Sequence, residues 1–163
     1  MSGTWPAVDL DPVRRLRVMA AGLRAAMYAE DHVDAPFAEV WSMASDLSNE
    51  LPRLVPTIRE FRVSGGTGGT GGRTGAWAYG PLGHRAYFDV VLQPGWCLMQ
   101  SRCVVGAMAA VPEGSGTRFA VLGATRSRQL LPVSLLAARG IGPYRGRLMI
   151  ERARRRTQAR RAA

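Results

Sequence analysis

Lysine is missing altogether: all 22 basic side chains in the 163 residues are arginine. A base-composition bias in the coding DNA is enough to produce an arginine-, glycine- and alanine-rich chain of this kind, for which a bacterial-type source is the expectation, so the net charge of +10 identifies no partner by itself. Its distribution says more. From Arg139 onward nine arginines stand against one acid, Glu151, which places +8 of the +10 at the end of the chain.

Long hydrophobic runs are also missing. No apolar stretch reaches the ~18 residues of a membrane span, and MSGTWPAVDLDP does not have a basic segment leading into an apolar one, so no secretory leader is expected. Cysteine is scarce. Cys97 and Cys103 lie in what reads as one strand, about 20 Å apart at ~3.3 Å per residue, too far to pair. A disulfide framework is excluded and a reducing cytoplasm is the expected compartment. Histidine occurs only at 32 and 84. His32 and Asp34 can share one side of a strand, but two ligands do not make a zinc site, and His84 reads as a solvent-edge residue. There is no Gly-x-Ser-x-Gly elbow. The Gly-Gly-Thr repeats of 64–75 lack the Gly-Lys-Ser/Thr ending and the following helix of a phosphate cradle, so they read as a loose hairpin connection. No catalytic residue, metal or cofactor is assigned.

What is present is a clear order of elements. Asp11-Pro12 is a helix start, and Val13, Leu16, Ala20 and Leu23 then recur at helical spacing. This short amphipathic helix is either a packing element or, given its arginines, a membrane-surface anchor. Residues 26–34 read as a strand. Pro36 opens a helix with Phe37, Val40, Trp41 and Ala44 on one face; Asp46 and Ser48 can cap a second short turn through Leu51, and Pro52 and Pro56 stop helical structure. Strands follow at 57–63, 73–79, 85–93, 96–105, 108–111 and 117–126, with 112–116 as a loop. Alternation sets Ala86, Phe88, Val90 and Leu92 against Arg85, Tyr87, Asp89 and Gln93, and Phe119 and Val121 against Arg118 and Leu122. One apolar sheet face needs a helical cover, and only the C-terminal segment is long enough. It is periodic over 130–139, broken at 140–143, and resumes over 144–160. Beyond Ile150 its only apolar residues are alanines, so its end is expected to project into solvent.

Val33, Ala35, Pro36, Val40, Trp41 and Asp46 form an opening that resembles the START / birch-pollen-allergen-like (SRPBCC) superfamily, in particular its polyketide cyclase/dehydrase-like branch. Pro52 and Pro56 fall where such proteins turn from the second helix into a strand, and DVVLQPGWCLMQSRCVVG and GTRFAVLGATR look like their middle and closing strands. The resemblance covers residues 26–156. It implies an α+β helix-grip fold, a curved antiparallel sheet wrapped around a long C-terminal helix with two short helices after strand 1; outside it lie an N-terminal extension with the short amphipathic helix at 1–25 and a basic tail at 157–163. It also implies an apolar chamber between sheet and last helix, of the kind that holds lipids, sterols, quinones, plant hormones or polyketide chains, and in a few members serves a cyclase or aromatase. The Gly-rich insert and the arginine-loaded final helix depart from that pattern.

The expected function is therefore non-covalent binding, for carriage or sensing, of a hydrophobic or aromatic small molecule or lipid. Expected chamber-lining residues are Trp77, Tyr79, Phe88, Val90, Met99, Cys103, Phe119 and Val121; the other reading is that the aromatics fill a solid core. On the 96–105 strand the small and apolar parity, Cys97, Met99 and Cys103, is expected to face inward. With the opposite parity Arg102 would enter the chamber and could orient a carboxylate or enolate, as a cyclase acting without cofactor would need. A third reading is a membrane-peripheral or regulatory protein using its basic ends: an anionic membrane could meet the Arg-rich C-terminus, while nucleic acid is not expected, for no aromatic is interleaved there.

Overall fold

The computed structural model describes residues 9–64, 73–126 and 142–162. The element order is α1 (Pro12–Gly22), β1 (Met27–Val33), α2 (Phe37–Ser45), α3 (Leu47–Leu54), β2 (Glu60–Ser64), β3 (Arg73–Tyr79), β4 (Arg85–Gln93), β5 (Trp96–Gln100), β6 (Val104–Glu113), β7 (Gly116–Thr125) and α4 (Gly142–Arg161). The strands form one antiparallel sheet in the order β1-β7-β6-β5-β4-β3-β2. β2 to β7 are a meander, and β1 returns to the far edge beside β7. This is the expected α+β helix-grip architecture. The periodic stretch expected at 130–139 and most of the Gly-Gly-Thr run lie outside the described residues. No helix among the described residues is long and apolar enough to cross a membrane.

The sheet separates two apolar layers. On its concave face Phe88, Val90, Cys97, Met99, Met108, Ala110, Phe119 and Val121 meet α2, α3 and α4. On the convex face Val13, Leu16 and Ala20 of α1 cover Trp96, Ala107, Ala109, Ala120 and Leu122. The α1 N-cap is made as expected, the Asp11 carboxylate accepting from the Arg14 backbone N–H at 2.9 Å. Because the apolar stripe of α1 is buried against the sheet, it is not available to a lipid surface.

Four local expectations are corrected. Pro52 does not stop α3; it lies inside it and the helix runs on to Leu54. Asp46 precedes α3 but makes no side-chain cap; its carboxylate accepts from Asn49 at 2.9 Å and from Arg160 at 3.1 Å instead. The 96–105 strand is broken by a turn at Ser101–Cys103, where Ser101 Oγ accepts from the backbone N–H of Cys103 and Val104 at 3.3 and 3.0 Å. A serine that bonds its own backbone turns the chain without glycine or proline. Finally, the supposed loop 112–116 is ladder almost throughout: Pro112 pairs with Thr117 and Glu113 with Gly116, and Gly114 supplies the positive φ of +60° for the tight turn.

The end of α4 is the largest correction, for it does not project. Ala153 and Thr157 are buried, and the arginines around them reach acids on the rest of the molecule. Arg156 Nε and Nη2 donate to Glu50 at 2.7 and 2.9 Å. Arg160 lies 3.1 Å from Asp46, Arg161 2.7 Å from Glu39, and Arg154 3.2 Å from Asp31. The supposed tail from 157 is thus the last turn of a docked helix. Small residues let it sit close to β1 and α2, and arginine stems flank the contact.

Candidate functional site

α4 closes on the sheet unevenly. Its C-terminal half is packed solid through Ile150, Ala153 and Thr157. Beside its N-terminal half the space between helix and sheet is hollow. A cavity of about 270 Å³ lies over the inner faces of β3, β4, β5 and β6, bordered by Phe61, Ala78, Ala86, Phe88, Met99 and Met108, with Leu51 of α3, Ile58 of the following loop and Met149 of α4 as its roof. Among these described lining residues the polar side chains are few: Thr57, Tyr79 and His84.

A second compartment of about 420 Å³ adjoins it, sharing Met27, Val55, Thr57, Val104, Gly123 and Met149 as common wall. It lies between the α3–β2 loop, an end of β6 and of β7, and the stretch of α4 from Gly142 to Arg152, where Arg145, Leu148 and Arg152 border it. Each compartment is near the lower end of the range for small-molecule sites, roughly 300–1,000 Å³. Four methionines, at 27, 99, 108 and 149, line the two; their unbranched thioether chains adjust to guests of different shape.

The residues singled out from the sequence are distributed as follows. Phe88 and Met99 face the first compartment, and Tyr79 stands at its rim with Arg62 5.2 Å from its ring. Val90, Phe119 and Val121 point to the same side of the sheet but are locked into the solid part of the core. Trp77 is on the convex face: its neighbours Ala76 and Ala78 point inward, while its own ring meets Tyr87 edge-on at 5.3 Å and Arg85 at 5.2 Å. Cys103 and Arg102 are exposed in the β5–β6 turn, so Arg102 cannot orient a guest in the chamber. Cys97 is buried, and its thiol is pushed up to about 12 by loss of hydration, which leaves it a small hydrophobe.

His84 is exposed, as read, and sits at the cavity rim with its ring over Gly80. His32 lies away from the hollow, its Nδ1 3.0 Å from Glu113 and its Nε2 3.2 Å from Asp34. Glu113 also accepts from Arg118 at 2.6 and 2.8 Å, which holds its carboxyl below the ordinary range. On the same outer surface burial and a bond to Glu30 raise the Tyr28 phenol to about 12. These groups tie β1, β6 and β7 together and do not reach the cavity.

Sequence reasoning did not single out Leu51, Phe61, Ala78, Ala86, Met108 or Met149 as lining, nor Arg145 and Arg152 at the second compartment. No signal in the sequence marks them, because the pairing that places Phe61 beside the small Ala78 of β3 is set by strand register.

No protein-family model matches the chain, and no curated protein matches it significantly. Solved structures do resemble it. TTHA0849 from Thermus thermophilus superimposes with a TM-score of 0.59 at 16% identity, over 82% of this chain and 97% of that one. The di-domain aromatase/cyclase StfQ of the steffimycin biosynthetic pathway gives 0.63 at 12% identity, over 90% of this chain and 55% of that one. Ara h 8.0201 gives 0.53 at 14% identity, over 82% and 97%. These likenesses concern backbone shape and show the fold alone: an antiparallel sheet closed by a long C-terminal helix, the helix-grip arrangement.

Proposed function

We propose that this protein binds a hydrophobic or aromatic small molecule, non-covalently, in the hollow between its sheet and the first half of α4. The observation that carries the reading is that, among the described residues, few polar groups surround a pre-formed space bordered by Phe61, Phe88, Met99, Met108 and Met149. Water in such a space finds few partners, whereas an apolar guest gains about 25 cal/mol for each Å² removed from water. The cyclase reading has less support: of the two polar groups it could use, Arg102 lies in an exposed turn, and Tyr79 stands only at the rim of the cavity.

Ala86 offers the test. It is half-buried on the inner face of β4 and borders the cavity, so Ala86→Phe fills the space from one wall. Native mass spectrometry of the freshly purified protein is expected to show a co-purifying apolar ligand that raises the melting temperature, and Ala86→Phe is expected to lose it while remaining folded. Unchanged ligand retention by a folded Ala86→Phe would place the guest elsewhere.

A further inference from the structure

Among the described residues, five of the eight arginines of α4 are paired with acids and three are not, and of those three Arg147 does not border either compartment. Arg154, Arg155, Arg156, Arg160 and Arg161 each lie within 4 Å of a carboxylate. Arg145 and Arg152, which border the second compartment, have no carboxylate partner among the described residues. Those residues include every aspartate and glutamate of the chain, so no other acidic side chain can serve them. Arg152 directs Nη1 to the Leu54 carbonyl at 3.2 Å, which anchors the guanidinium at the compartment wall and leaves its other N–H groups free to donate. Two unneutralised guanidinium groups thus stand beside a space that continues, through Met27, Val55 and Met149, into an apolar chamber.

We propose that the ligand is amphipathic: a carboxylate held at Arg145 and Arg152, with an apolar body lying in the inner cavity. This rests on the binding reading above and narrows its ligand class. A guanidinium fork matches the two oxygens of a carboxylate, and charge-assisted bonds of this type are the strong ones. The five paired arginines cannot compete for the anion without giving up an acid on α2, α3, α4 or β1. The polar end therefore sets which way round the guest enters, and the methionine-lined interior accepts a range of bodies.

The experiment compares decanoate with decanol, which share the apolar chain and differ in the head, by titration calorimetry on the full chain in low-salt buffer. Decanoate is expected to bind about tenfold tighter than decanol, the equivalent of one charge-assisted hydrogen bond, with the difference shrinking as salt is added. In Arg145→Gln/Arg152→Gln the preference for decanoate over decanol should be lost, so that the two bind alike. Arg147→Gln/Arg155→Gln removes the same charge at positions that do not border the compartment, and should keep the preference. Equal binding of both compounds to the parent protein, or equal loss of preference in the two double variants, overturns the anionic head while leaving apolar binding intact. If neither compound binds the parent, the cavity reading falls as well.

Discussion

Replacing Arg156 with methionine is expected to destabilise the fold by about 3 kcal/mol, the range found when one partner of a buried ion pair is removed. Glu50 is only 3% exposed, and Arg156 reaches it with two N–H groups from 106 residues away. The neighbouring cations are poorer substitutes: Arg53 lies at 3.5 Å and is itself more than half exposed, and Arg160 lies at 3.9 Å. Without Arg156 the carboxylate is left in the α3–α4 contact with weak compensation, and burying an unpaired charge is costly. Glu50→Met should cost less, about 1 kcal/mol, because the orphaned Arg156 is 32% exposed and can turn to water. The double variant should then resemble Glu50→Met. Urea denaturation of the four proteins measures all three differences.

The same pair fixes a pH dependence. The hydrogen bonds from Arg156 hold the Glu50 carboxyl below its ordinary 4.5 even though burial opposes this. A group whose pKa is depressed on folding contributes stability that is present above its unfolded pKa and lost as pH falls through the folded one. The parent should therefore lose this contribution below pH 4.5. Arg156→Met should show a smaller loss, since burial alone raises the carboxyl and favours its protonated form. The gap between the two proteins narrows on acidification. A pH-independent gap below about 1 kcal/mol would mean that the pair behaves as an ordinary surface salt bridge.

That pair was hidden in the sequence for a physical reason. ERARRRTQARR carries no apolar residue but alanine, so periodicity finds no buried face, and the acids that neutralise it are on β1, α2 and α3 or just beside them. Strand order was legible wherever alternation was clean, as in Arg85–Gln93, or where glycine and proline mark the turns. It failed at Ser101, which turns the chain with its own hydroxyl, and at Pro112, which sits in the β6–β7 ladder. The wall of the cavity was harder still. In β3 the large residues, Trp77 and Tyr79, were expected inside, yet the inward set is Ala76 and Ala78. The inner volume over β3 belongs to Phe61 and Phe88, whose rings meet at 6.1 Å from the two flanking strands, and Trp77 finds Tyr87 on the outside. Side-chain size along one strand does not reveal which face its neighbours fill.

Gly146→Leu is expected to cost about 3 kcal/mol through overpacking and to abolish apolar ligand binding. α4 crosses β1 at this glycine: a Cβ placed on residue 146 would come 2.6 Å from the Ala29 Cβ, with the Ala29 backbone nitrogen at 3.5 Å. Neither atom is the end of a flexible side chain, so the helix must lift from the strand. Gly146→Ala sets two effects against each other. Alanine gains about 1 kcal/mol of helix propensity over glycine, and the clash takes back that much or more, so a net loss of roughly 1 kcal/mol is expected once the helix has shifted. Adding Ala29→Gly removes the opposing methyl group and should recover most of it, a coupling that a double-mutant cycle reads directly. Because Arg145, Leu148 and Met149 flank the crossing point and border the hollow, lifting the helix moves one wall of the site along with the fold. Decanol affinity should then fall in Gly146→Ala and return in the Ala29→Gly/Gly146→Ala pair. A stabilised Gly146→Ala with unchanged affinity would show that helix propensity wins at this position and that close approach of α4 to β1 does not hold the cavity's shape.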